Sequence, residues 1–208
     1  MGLDHILYIC ISLPVAIGLA ILGKFIINKK WQKLYIFMFA LITVALHYSV
    51  IYVSYFHNDS GTIVGRDHLF PYYFCNFIMN IELILAMELH FKARFMNNAL
   101  TFCAYGGILG SLITLFEQGP HFDNYYLLQS ALSHSTMLTT SLLLILCGYV
   151  KINVYNLIPM GFGILVSGAM GGLTMLIYVI NGEPVCNAMY LLEGPAGFEK
   201  ITGPVFAL

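Results

Sequence analysis

Apolar positions in this chain come in long runs separated by short polar connections. About 20 consecutive apolar residues form an α-helix long enough to cross the hydrocarbon of a bilayer. Six such runs are legible: Ile6–Ile27, Leu34–Phe56, Leu69–His90, Ala99–Phe116, Tyr125–Val150 and Leu157–Asn181. They predict an all-α, polytopic membrane bundle of six transmembrane helices in one domain spanning residues 1–208. The first run reads as a spanning helix and not as a signal peptide, because Asp4 and His5 precede it and its lysines follow it. Beyond Asn181 the chain turns polar, and the segment after Pro195 is too short for another full crossing. A short, partial seventh helix is the expectation there.

Several polar groups interrupt the runs. A rise of about 1.5 Å per residue puts Cys75 roughly 9 Å, and His134 roughly 14 Å, inside their helices from the same side of the membrane. His47, counted back from Phe56, falls near the depth of His134. Polar side chains in hydrocarbon are costly, turn toward the bundle interior and usually serve a function. A thiol and an imidazole facing each other make an activated nucleophile. Cys75 and Glu82, seven apart, share a helix face, with Asn76 and Asn80 on an adjacent stripe. Ser130, His134 and Ser141 share a face of the fifth helix, with Gln129 and Ser133 beside them. Each of these has a plainer reading. His134 or His47 could hold helices together through a carbonyl, and Glu82 could be a packing residue.

Composition narrows the classes. Hydrophobic residues make up 59% of the chain and charged residues 9%, which excludes a soluble domain. The charges are uneven: Lys24, Lys29, Lys30, Lys33, Lys92, Arg94 and Lys151 flank one set of connections, and Arg66 and Lys200 the other. The positive-inside rule then puts the N-terminus outside. No basic cluster with interleaved aromatics exists, so nucleic acid is not an expected partner. None of the five cysteines forms a CxxC pair. His47, His134 and Glu82 lack the usual spacing of metal ligands, so neither a metal nor another cofactor is expected. Gly106-Gly-Ile-Leu-Gly110 and Gly168-Ala-Met-Gly-Gly172 have the small-residue spacing of close helix seams. Asn58-Asp-Ser60 is a glycosylation sequon in the long outer loop.

Four segments occur in a familiar order: Leu69-Phe-Pro-Tyr-Tyr-Phe-Cys-Asn76, Ala104-Tyr-Gly-Gly-Ile-Leu-Gly-Ser-Leu112, Leu132-Ser-His-Ser135, and Gly182-Glu-Pro184 followed by Leu191-Leu-Glu-Gly-Pro195. From Leu69 to Pro195 the chain resembles the YwaF-type family of integral membrane proteins, which includes animal transmembrane protein 164. That resemblance implies a phospholipid acyltransferase, with Cys75 and His134 matching the family's membrane cysteine and histidine. It also implies membrane lipids, a phospholipid and a lysophospholipid, as partners, and the bacterial cell membrane as the location. The chain departs from the pattern at Leu176-Ile177 and at Ala196-Gly-Phe198.

The expected chemistry is acyl transfer, or ester hydrolysis, in the outer-leaflet half of the membrane through a Cys75 thioester. His134 moves the proton, Asn76 and Ser133 are candidate oxyanion donors, and His47 or Glu82 is a candidate third group. The alternative is a non-enzymatic carrier or receptor for a small amphiphile, and a third possibility is a purely structural subunit. A reactive, acylated Cys75 belongs to the enzyme alone.

Overall fold

The computed structural model describes residues 3–57, 73–87, 94–117 and 125–182. The sequon, Arg66, Lys92, Lys200, Cys186 and the expected partial seventh helix lie outside them. The described residues form six α-helices: α1 Leu3–Phe25, α2 Lys29–His57, α3 Phe74–Met87, α4 Arg94–Glu117, α5 Tyr125–Leu146 and α6 Leu157–Ile180. A single 3-10 turn, Val154–Asn156, precedes α6. The chain is an all-α membrane helix bundle. Leu3–Phe25, Met96–Phe116 and Val154–Ile180 are each long and apolar enough to span a bilayer. α5 is 22 residues long but carries hydroxyls at almost every turn. Most of them donate to a carbonyl one turn back, as Ser135, Thr139 and Thr140 do, so the backbone satisfies them inside hydrocarbon.

α2, α3, α4 and α5 surround the main core. α5 packs against α2 and α4, and α3 packs against the same two helices from the opposite corner. Paired contacts fix the directions. Ile78 meets Gly106 and Cys75 meets Gly110, so α3 and α4 are antiparallel. Ser141 reaches the Cys103 carbonyl while Met137 approaches Gly110, so α4 and α5 are antiparallel too. α3 and α5 therefore run parallel on a diagonal of the four-helix core. Ile36, Ala40, Ile78, Met79, Cys103, Met137 and Leu143, all at most 1% exposed, fill the space between them.

The order of helices in space departs from their order in sequence. Short connections suggest that consecutive helices are neighbours, which holds for α2 through α5. It fails at both ends. α1 packs mainly along α5 and meets α2 near their joining turn, and α6 packs on α4. The α1 seam is polar as well as apolar: Tyr8 Oη pairs with Ser135 Oγ at 2.8 Å, and His5 Nε2 donates to the Leu115 carbonyl at 2.7 Å. That carbonyl lies in the last turn of α4, where intrahelical donors run out. At the joining turn, Gln32 Nε2 donates to the Gly23 and Lys24 carbonyls, both at 3.1 Å, and caps α1 in the same way.

The small-residue seams are used unequally. On α6 the buried stripe is Gly163, Ser167, Gly171 and Thr174. A Cβ at Gly163 would lie 2.0 Å from the Phe102 ring of α4, whereas one at Gly168 or Gly172 would meet nothing within 4 Å. The expected Gly168–Gly172 seam is thus one position off, because those two glycines have the spacing of a close seam while the stripe that packs is completed by Ser167 and Thr174. Gly163→Ala is expected to destabilise the protein by about 1–3 kcal/mol through overpacking. Gly168→Ala should be neutral or stabilising by up to roughly 1 kcal/mol, because alanine is the better helix former. Thermal unfolding of the two variants in detergent checks this; equal midpoints would contradict the assigned seam.

Candidate functional site

α4 is the wall on which the site is built. Gly107, Ser111 and Thr114 are spaced four and three residues apart and share one face, with Gly110 at its edge. At the lower end of this face Ser141 Oγ of α5 donates to Glu82 Oε1 of α3 at 2.5 Å. The pair presses against Gly107, where an added Cβ would lie 3.1 Å from Glu82 Oε1 and would collide with Ser141 Oγ. Glycine is required there because two side chains from different helices meet over its Cα. At the upper end Cys75 Sγ lies 3.9 Å from Thr114 Oγ1 and would be 2.9 Å from a Cβ at Gly110. That same Cβ would be 3.8 Å from Met137 Cε of α5. The second small-residue seam, Gly106 and Gly110, therefore makes room for the thiol as well as for helix packing.

The register of the diagonal helices follows from these contacts. Cys75 is seven residues before Glu82, and His134 is seven residues before Ser141. The helices are parallel and joined at Glu82–Ser141, so thiol and imidazole stand at the same level, two turns or roughly 10 Å above that pair. His134 is buried. Its Nδ1 lies 2.7 Å from the Ser130 carbonyl, which can only accept, so Nδ1 carries the hydrogen. In the neutral ring Nε2 is then the proton acceptor. Among the described residues His134 makes no hydrogen bond to Cys75: the thiol's described contact is Thr114 of α4, and the imidazole's is the Ser130 carbonyl of α5.

The remaining sequence candidates sort by what holds them. Asn76 is buried, and its Nδ2 has no partner. Its backbone carbonyl accepts from Asn80 Nδ2 at 2.8 Å, and Asn80 Oδ1 accepts from Tyr48 Oη at 3.1 Å. Ser133 is buried too, but its hydroxyl already donates to the Ser130 carbonyl at 2.9 Å. Of the two expected oxyanion donors, only Asn76 has an uncommitted N–H. His47 is buried on α2 with its ring edge-on to Tyr48 at 5.1 Å, and its carbonyl accepts from Gln129 Nε2 at 3.1 Å. Glu82 does not take the place of a third group on His134. Its Oε1 is bonded to Ser141 two turns below, and the Ser130 carbonyl occupies Nδ1. Among the described residues no set of three or more His, Cys, Asp or Glu could hold a metal ion.

The start of α3 also differs from expectation. Tyr73 is a bend and α3 begins at Phe74, so Cys75 lies in the first helical turn. The helix dipole favours negative charge at that end. Thr114 and Ser111 were not marked by the sequence as site residues. The signal was present, since both follow the Gly106–Gly110 motif on its own face, but the motif reads as packing when the thiol's location is unknown.

Fold and site define an integral membrane helix bundle with a thiol and an imidazole level with one another in its interior. The chain belongs to the TMEM164 family, whose model matches residues 1–207. The match extends the resemblance from Leu69–Pro195 to nearly the whole chain. No curated protein and no solved structure matches the chain.

Proposed function

We propose that the protein is a cysteine-dependent lipid acyltransferase, with water as the competing acceptor. The carrying observation is the shared level of Cys75 and His134 on parallel helices that both pack on α4. His134 Nε2 takes the thiol proton as a phospholipid ester enters from the bilayer. The thiolate attacks the acyl carbonyl, and the C–S bond of a thioester forms as the ester C–O bond breaks. His134 returns the proton to the leaving alkoxide. A lysophospholipid hydroxyl then attacks the thioester, passes its proton through His134 and restores the thiol. Family membership and the placement of a buried imidazole level with a half-buried thiol support this reading. Lipidomics on cells expressing wild type or Cys75→Ala tests it: wild type should shift acyl chains between phospholipid and lysophospholipid pools and the variant should not. Identical profiles would favour a carrier for a small amphiphile.

The site would sit in the outer-leaflet half of a bacterial cell membrane. In the fold α1, α3 and α5 run one way, so Lys24, Lys29, Lys30 and Lys33 share an end of the bundle with Lys151, where Gly23 of α1 packs on Leu143 of α5. The positive-inside rule puts that end in the cytoplasm and the N-terminus outside. Tags at Lys30 and Lys151 should be reached from the cytoplasm and a tag at Gly61 from outside; cytoplasmic labelling at Gly61 would reverse the assignment.

A further inference from the structure

Serine and threonine hydroxyls in these helices characteristically return to a carbonyl of their own preceding turn, as at Thr101, Ser135, Thr139, Ser167 and Thr174. Ser111 does not. It is 0% exposed, and its Oγ has no hydrogen-bond partner. A buried hydroxyl without a partner loses its hydration with no compensation. Ser111 lies on the α4 face between Gly107, which is pressed by Ser141 and Glu82, and Thr114, which meets the Cys75 thiol. It also directly follows Gly110, where an added Cβ would lie 2.9 Å from Cys75 Sγ. From the other side, Asn76 follows Cys75 on α3, with its Nδ2 equally buried and unpartnered. Two uncommitted donors thus stand on the turns of α3 and α4 that carry the thiol and its Thr114 contact.

We infer that Ser111 Oγ and Asn76 Nδ2 form the oxyanion hole of the acyl-transfer reaction, with Ser111 a catalytic residue that the sequence did not indicate. The inference rests on the acyl-transfer reading and deepens it. When the Cys75 thiolate attacks an ester, the carbonyl π pair moves onto oxygen, and the Ser111 O–H and Asn76 N–H donate to that oxyanion. Collapse re-forms the C=O bond and expels the alkoxide, which takes the proton held by His134. Donors fixed in advance where charge develops act strongly in a low-dielectric site, because they need no reorganisation during the reaction. The resting hydroxyl is without a partner because its partner, the tetrahedral oxygen, exists only during turnover.

The test compares two reactions of the same thiol in the full-length protein in detergent micelles. Acylation by p-nitrophenyl butyrate passes through an oxyanion, and the nitrophenolate burst reports it. Alkylation by iodoacetamide displaces iodide and forms no oxyanion; mass spectrometry of the Cys75 peptide reports it. Ser111→Ala should slow the burst by roughly 10²–10³-fold, the effect of losing one oxyanion donor. It should leave alkylation within about twofold. Ser111→Ala removes a hydroxyl that no group in the fold uses, so the variant should fold. A burst within about threefold of wild type in Ser111→Ala overturns the oxyanion hole. A wild-type protein whose Cys75 is alkylated but never acylated overturns the acyl-transfer reading as well, so the two failures are distinguishable.

Discussion

Cys75→Ala is expected to lose acyl transfer by roughly 10⁴–10⁶-fold, the scale on which deleting a covalent nucleophile acts. The argument begins with the thiolate, which is the attacking species. A thiol in hydrocarbon has little reason to ionise unless a base removes its proton or its surroundings favour the anion. Here the thiol sits in the first turn of α3, where the helix dipole favours negative charge, and Thr114 lies 3.9 Å away. Cys75→Ser keeps the shape but substitutes a poorer nucleophile and should retain only a trace of activity. Wild type incubated with a labelled phospholipid should carry a hydroxylamine-sensitive acyl group on Cys75. Cys10 is exposed on α1 and Cys147 lies just past the end of α5, far along the helix from His134, and their serine variants should stay within about twofold of wild type. Cys103 is 0% exposed in the main core, so a serine there perturbs packing and is a poor control. Full lipid turnover by Cys75→Ala would reject cysteine catalysis.

His134→Ala should lower the acylation rate by roughly 10²–10⁴-fold, the usual contribution of a positioned acid–base group. Its Nδ1–H bond to the Ser130 carbonyl sets the tautomer without any carboxylate. Glu82→Gln should consequently matter far less than His134→Ala, since the amide oxygen of glutamine can still accept from Ser141. Glu82→Leu would instead leave Ser141 unpaired and uncouple the two diagonal helices. Single-turnover measurements on the three variants separate the roles. Near-normal acylation by His134→Ala would remove it from the mechanism, and a loss in Glu82→Gln as large as that in His134→Ala would give the carboxyl the catalytic part denied to it here.

The gross architecture was legible from the amino-acid order. Runs of twenty apolar residues have one stable solution in hydrocarbon, a helix that satisfies its own backbone, and each of the six runs contains a helix. The polar residues inside those runs stood out for the same reason: Cys75, His134, Asn76 and Glu82 are expensive in hydrocarbon, and all four turn inward to varying degrees. Helical spacing also paired Cys75 with Glu82 and His134 with Ser141, because that depends on the helical repeat alone.

Which helices meet, and at what register, could not be read in that way. The packed side of α6 carries Gly163, Ser167, Gly171 and Thr174 and its exposed side large apolar residues, but Gly168 and Gly172 repeat the same four-residue spacing one position away, so small-residue spacing did not prefer Gly163. α1 lies along α5, and α6 lies on α4, because side chains distant in sequence fit there: Tyr8 with Ser135, Phe102 over Gly163. The roles within the site likewise depend on partners that spacing does not contain. Ser133 is committed to a carbonyl and Asn76 is not; Glu82 is bonded to Ser141 and not to His134. The level of the thiol against the imidazole is read from the Glu82–Ser141 contact between diagonal helices, over a glycine on a third. A long-range contact of that kind follows from packing in three dimensions, and no local pattern of residues encodes it.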